Sequence, residues 1–239
     1  MKFTTIGTMC LTLVLACAGT ASAVNLTISN ADFETTRDGS LSPVTLTDGQ
    51  YFRLDGTAGG GLSNASVPYT LDDWTLLTGT SNLAAVQNAV NAQFTGATGV
   101  NDNILVLGNS VTQAEISNTL AATLEANTFY SLSVDIGQRS DFTNRGYELA
   151  LFAGGTELTR IKSSDAGARP IPVGSMSTIT LEVDSSDFAG QVGQALEVRL
   201  ASLNQAAASG QTAFDNVTLN AGVVENFSFE SPTTTSFTP

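Results

Sequence analysis

The chain has 239 residues, with 22 acidic side chains against nine basic ones, no histidine, and a formal net charge of −13. That balance repels nucleic acid and anionic lipid surfaces, and it excludes any chemistry or metal binding that needs imidazole. Both cysteines, Cys10 and Cys17, lie near the amino terminus, so the rest of the chain has no disulfide, thiol nucleophile or thiolate metal site. The acidic surplus suits solubility outside a cell and, as a second reading, affinity for divalent cations.

The first 23 residues read as an export signal. Lys2 supplies the positive start, residues 6–18 the apolar stretch, and Ala21-Ser22-Ala23 the small-residue cleavage site. The apolar run is too short to be a transmembrane segment. Val14-Leu15-Ala16-Cys17 also resembles a bacterial lipoprotein box, which would instead place a lipid on Cys17. Either route makes the protein secreted or bound to the cell surface. Residues 24–222 then read as one domain, and residues 223–239 as a linker or the truncated start of a second repeat.

Val24, Leu26 and Ile28 alternate with polar neighbours, which predicts a half-buried strand over residues 24–29. Residues 35–68 are rich in Gly, Ser, Asp and Pro and predict loop, with room for a short strand at 50–54. Residues 74–77 predict a strand anchored by Trp74, the only tryptophan. Over residues 82–94 the spacing of Leu83, Val86, Val90 and Phe94 is near helical. Asn82, Asn88 and Asn91 oppose a helix, so the stretch predicts irregular loop with at most a short helical turn. Residues 104–107 and part of 111–124 predict two further strands.

From Tyr130 onward the period of two is plain. Tyr130, Leu132, Val134 and Ile136 share one face, as do Tyr147, Leu149 and Leu151, then Ile179, Leu181 and Val183, then Leu196, Val198 and Leu200. Gly154-Gly155 predicts a hairpin turn into residues 157–161. In the last strand Phe214 has the opposite parity to Val217 and Leu219. A bulge near Asp215-Asn216 reconciles them and would turn the Asp215 carboxylate to the sheet rim. The fold class is all-β, an antiparallel β-sandwich of jelly-roll type.

Two short stretches bracket this domain: NADFET at residues 30–35 and GQTAFDNVTLN at 210–220. NFSFES at residues 226–231 repeats the opener, either as the first residues of a second copy or within a short polar tail. Between the brackets stand YSLSVDIGQR at 130–139, YELALFAGGTEL at 147–158 and GQALEVRLAS at 193–202. Together these resemble the galactose-binding-like, carbohydrate-binding-module-type jelly rolls of bacterial secreted surface proteins, many of which carry an exosortase (PEP-CTERM) sorting tail.

That resemblance implies a non-catalytic domain that binds extracellular glycan at the cell surface or in the matrix. The alternative is a structural or adhesive repeat whose partner is another surface protein. It also implies a structural Ca2+ held by Glu34 and Asp215, with Asp32 and Asn30 as further candidates. The competing reading makes Glu34 and Asp215 hydrogen-bonded turn caps. For a polysaccharide ligand the candidates are Tyr51, Trp74, Arg139, Asp141 and Arg145, through ring stacking and planar hydrogen bonding. Against each stands a plain structural role: core packing for Trp74, a loop salt bridge for Arg139, Asp141 and Arg145. No nucleophile elbow, phosphate loop or histidine metal motif occurs, and the expectation is that the protein is not an enzyme.

Overall fold

A computed structural model describes residues 23–37, 43–47, 49–55, 57–59, 69–78, 84–89, 93–94, 103–108, 113–203 and 210–223. The export signal with Cys17 and the repeat-like residues 226–231 lie outside the described residues. Among the described residues no helix is long and apolar enough to cross a membrane.

Alternating sequence has become antiparallel strand, in two facing sheets. The larger contains eight strands in the order β13 (Ser175–Asp184), β10 (Thr128–Gln138), β15 (Gln211–Val223), β8 (Asn103–Gly108), β7 (Ala84–Asn88), β3 (Tyr51–Arg53), β4 (Ala58–Gly59), with β1 (Val24–Leu26) also paired to β15. The smaller has the order β12 (Thr156–Lys162), β11 (Tyr147–Ala153), β14 (Ala195–Ser202), β9 (Ala114–Thr123), β6 (Thr75–Thr78). A two-stranded ribbon joins β2 (Thr36–Arg37) to β5 (Thr70–Leu71). This is the antiparallel β-sandwich that the alternation predicts.

The core lies between the sheets. Leu132, Val134 and Ile136 of β10, with Leu105, Leu107, Phe214 and Leu219, pack in one cluster with Leu149, Leu151, Val198 and Leu200 of the facing sheet. Burying each such side chain stabilises the fold by about 1.5–3 kcal/mol. Tyr130 and Tyr147 enter the same core, and each finds a partner for its hydroxyl. Tyr130 Oη accepts from the Glu125 amide at 2.7 Å, and Tyr147 Oη donates to the Arg169 carbonyl at 3.1 Å. Burial pushes both phenols above their usual range.

Three local expectations change. The first strand is shorter than predicted, ending at Leu26, and Val24 is exposed. Residues 84–88 form strand β7 instead of loop or helical turn, because Ala84 and Val86 fill the inter-sheet core while Gln87 is buried on the other face. Coverage on both faces overrides the helical spacing. The third concerns the bulge, which does form. Asn216 takes φ of 50°, and the register against β10 shifts between Ser133 and Asp135, so Phe214 and Val217 both enter the core. Asp215 stands in register with Asp135 of β10, at the gap left on the other edge of β15 between its pairings with β8 and β1. Asn216 ties the two strands there through Nδ2, which donates to Asp135 Oδ2 at 3.1 Å, while its backbone amide donates to Asp215 Oδ1 at 2.8 Å within β15.

One edge of β15 is shared. β8 pairs with it as far as Phe214, β1 from Leu219, and between them the Val217 amide donates to the Ala31 carbonyl at 3.0 Å. The chain reaches that position through a tight turn with Asn30 and Phe33 in the left-handed region. Phe33 is fully buried, its ring centroid 5.2 Å from that of Trp74.

Candidate functional site

The second face of the larger sheet is where side chains of different strands converge. Ile104, Val106 and Ala213 have the parity opposite to the core residues, and they form a small separate cluster with Ala89 and Phe94. Beside this cluster a groove of about 210 Å³ opens, lined by Tyr51 and Arg53 of β3, Gln87 of β7, Val106 of β8, Gln211 of β15, and by Gln93, Arg139 and Phe142. Four strands and the segments around Gln93 and Arg139 supply it. No short sequence motif could have contained it.

Arg139, immediately after β10, organises the groove. Its Nε and Nη2 donate to the two Asp141 carboxylate oxygens at 2.9 and 2.7 Å, a bidentate fork. Nη1 donates to Gln87 Oε1 at 2.5 Å and to Gln211 Oε1 at 3.2 Å, and Gln87 Nε2 donates onward to Gln93 Oε1 at 2.9 Å. The guanidinium carbon lies 4.5 Å from the centre of the Phe142 ring, a cation–π contact. Only 8% of Arg139 is exposed. The hydrogen bonds from Arg139 hold the Asp141 carboxyl below the usual carboxylate range. The result is a fixed cation, a ring of amide groups, and aromatic walls at Tyr51 and Phe142. Such a surface can hold a flat aromatic ligand and orient its polar atoms.

The predicted residues therefore separate. Tyr51 and Arg139 meet in the groove, and Asp141 fixes Arg139 from its flank. Trp74 packs inward instead, its Nε1 donating to the Asn30 carbonyl at 3.0 Å. Arg145 is fully buried away from the groove and forms no salt bridge among the described residues; Nε donates to the Leu203 carbonyl at 3.2 Å. Gln87, Gln93, Gln211 and Phe142 were not singled out by the sequence. Gln211 alone carried a usable signal, two residues before Ala213 on the same face of the closing strand.

The residues expected to hold a metal lie around the turn that caps β15. Asn30 Oδ1 accepts from the Thr35 amide at 2.8 Å, and its Nδ2 donates to the Thr35 and Asp72 carbonyls. Asp32 Oδ1 accepts from the Glu34 amide at 3.4 Å. Glu34 Oε1 accepts from the Asn103 amide, at the start of β8, at 2.6 Å. Among the described residues no group of three or more acidic side chains gathers as a metal centre.

Residues 24–220 match the family model HpiC1-like, described as HpiC1 cyclase. The chain belongs to the HpiC1-like family. Among solved structures it is similar to a Stig cyclase, Fisc, from Fischerella sp. TAU, in complex with (3Z)-3-(1-methyl-2-pyrrolidinylidene)-3H-indole. That similarity has 24% identity and a TM-score of 0.64, over 84% of this chain and 98% of the other. An apo form cyclase from Fischerella sp. matches at 22% identity and a TM-score of 0.65, over 85% and 98%. A Fischerella sp. TAU cyclase in complex with 4-(1H-indol-3-yl)butan-2-one matches at 22% and 0.60, over 83% and 97%. At these identities the likeness establishes the fold. No curated protein matches the chain.

Membership of the HpiC1-like family corrects the reading of a carbohydrate-binding surface module. The non-enzymatic glycan binder, the adhesive repeat and the exosortase-type surface protein all give way to a family of cyclases. The motifs that resemble a surface module, alternating strands closed by a bulged FDNV strand, are requirements of the sandwich. They constrain strand pairing and carry little information about ligand.

Proposed function

We propose that the protein is a cyclase that closes a ring within an aromatic, indole-like substrate bound in the Tyr51–Arg139 groove. The observation that carries this reading is the match of residues 24–220 to the HpiC1-like family. Two Fischerella neighbours bound to indole compounds support the substrate class. The groove agrees chemically: Tyr51 and Phe142 offer faces to a flat ring system, while Gln93, Gln211 and Arg139 offer amide and guanidinium groups to its polar atoms.

An intramolecular ring closure needs no second reactant. The enzyme's part is to hold a folded conformer, exclude water, and move a proton to or from the reacting skeleton. Histidine is absent from the chain and the groove lining holds no lysine, which leaves oxygen acids as its proton-handling groups. Tyr51 brings a phenol into the groove. Asp141, outside the groove lining, holds the Arg139 guanidinium in a fixed orientation through both of its carboxylate oxygens. Arg139 remains charged throughout and orients any carbonyl or anionic oxygen of the substrate.

Calcium forms a structural part of the same proposal. Glu34 and Asp215 provide hard oxygen donors from the capping turn and from β15, joined by the Val217–Ala31 hydrogen bond, and turn carbonyls complete the donor set that such an ion requires. Asn30 and Asp32 serve as local caps of that turn. Export, read from residues 1–23, also belongs to the proposal, and fusing those residues to a reporter enzyme checks it.

The test of the activity uses purified protein and a 3-alkylindole whose side chain carries an alkene. The expected result is an isomeric cyclised product, resolved by chromatography and assigned by NMR. Calorimetric titration with 4-(1H-indol-3-yl)butan-2-one measures binding separately. Equal affinity in wild type and a Tyr51→Ala, Arg139→Ala double variant would remove the groove from the proposal.

A further inference from the structure

Arg145 presents a different problem from Arg139. It is entirely buried, yet Nη1 and Nη2 have no hydrogen-bond partner among the described residues. Nε alone is engaged, by the Leu203 carbonyl just past β14. A guanidinium does not give up its proton in a protein, so this is a buried cation with both terminal nitrogens unmet. Buried charges are ordinarily paired, because the desolvation they suffer is otherwise uncompensated.

The backbone around Arg145 is shaped to admit it. A Cβ on Gly108, at the end of β8, would stand 2.8 Å from Arg145 Cδ, and one on Gly210, just before β15, would collide with Arg145 Cγ. Gly108 has φ of 122°, where other residues are strained. Two glycines on neighbouring strands of the larger sheet thus make space for one side chain. Its Nε is fixed by the smaller sheet, so the guanidinium bridges the ends of both. Arg145 does not line the groove at Tyr51 and Arg139.

We propose that Arg145 is the receptor of a small monovalent anion, bound at this end of the sandwich through Nη1 and Nη2. The paired N–H groups of a guanidinium edge match the two oxygens of a carboxylate, so formate or acetate is preferred over chloride. The anion completes the cation's coordination and joins the Leu203 end of one sheet to the Gly108–Gly210 end of the other. Its role is structural and independent of the cyclase reading.

The experiment is a melting series on the full protein at constant ionic strength, with isethionate replaced stepwise by formate, acetate or chloride. A saturable rise on the order of 5 °C is expected with formate, and a smaller one with chloride. In Arg145→Met the rise disappears. No rise with any anion, or an equal rise in Arg145→Met, overturns the proposal. Should the variant fail to fold, a crystal structure of the wild type grown in formate decides. Density for a planar anion against Nη1 and Nη2 supports the site, and main-chain carbonyls in that position refute it.

Discussion

Arg139 and Asp141 are locked in a parallel fork, with donor distances of 2.9 and 2.7 Å, while the remaining face of the same guanidinium is held by Gln87 and Gln211. The cation of the groove therefore has its orientation set before any ligand arrives. Arg139→Lys keeps the charge and loses the fork. Binding of 4-(1H-indol-3-yl)butan-2-one is expected to weaken by about tenfold, the equivalent of about 1.4 kcal/mol. Calorimetry on the variant measures it, and unchanged affinity would deny Arg139 an orienting role.

The same pair has a pH signature. Asp141 titrates below its ordinary value near 3.8, chiefly through the hydrogen bonds from Arg139. A lowered carboxyl contributes stability above the unfolded-state value and loses it as pH falls through the lower folded-state value. Asp141→Asn should melt below the wild type at pH 7, and the gap should close as pH falls below about 3.8. The Asp141 side chain is 49% exposed, so the gap is small, under about 1 kcal/mol.

Gly137 marks the closest packing on the groove face. A Cβ there would lie 2.8 Å from Phe94 Cε1 and would strike Met176 Sδ. Gly137→Ala is expected to destabilise the protein by about 1–3 kcal/mol, as overpacking does. Urea denaturation gives the value, and a neutral result would mean that Phe94 moves aside without cost.

Removal of calcium has a defined consequence. For the proposed ion, bound only by the folded chain, the expected outcome is that a chelator lowers the melting temperature. Asp215→Ala, assayed with calcium present, should match the chelated wild type and show no further response to chelator. Identical melting of the wild type with and without chelator would eliminate the site.

The strand framework was legible because burial on one face leaves a period of two, as at Tyr130, Leu132, Val134 and Ile136. The clash of parity between Phe214 and Val217 even located the bulge. The groove was not legible. Its amides come from β7, β15 and a loop, and glutamine is too common on strands to attract notice. Gln87 was further hidden in a stretch whose helical spacing came from packing on two faces. Asp215 and Asp135 were separated in sequence by a whole set of strands, so their opposition across the bulge was visible only in the register. Arg145 looked like a loop residue because nothing in its sequence neighbourhood records the glycines at 108 and 210 that make room for it.

The shared edge of β15 also governs how the protein can be made. β1, at the start of the domain, has its partner in β15, and β8 and β10 are joined only through that same strand. During synthesis the larger sheet stays in two unjoined halves until β15 is released, and the opening strand waits for most of the chain. Folding thus closes from the carboxyl-terminal side, in a single late step that a nascent chain cannot anticipate.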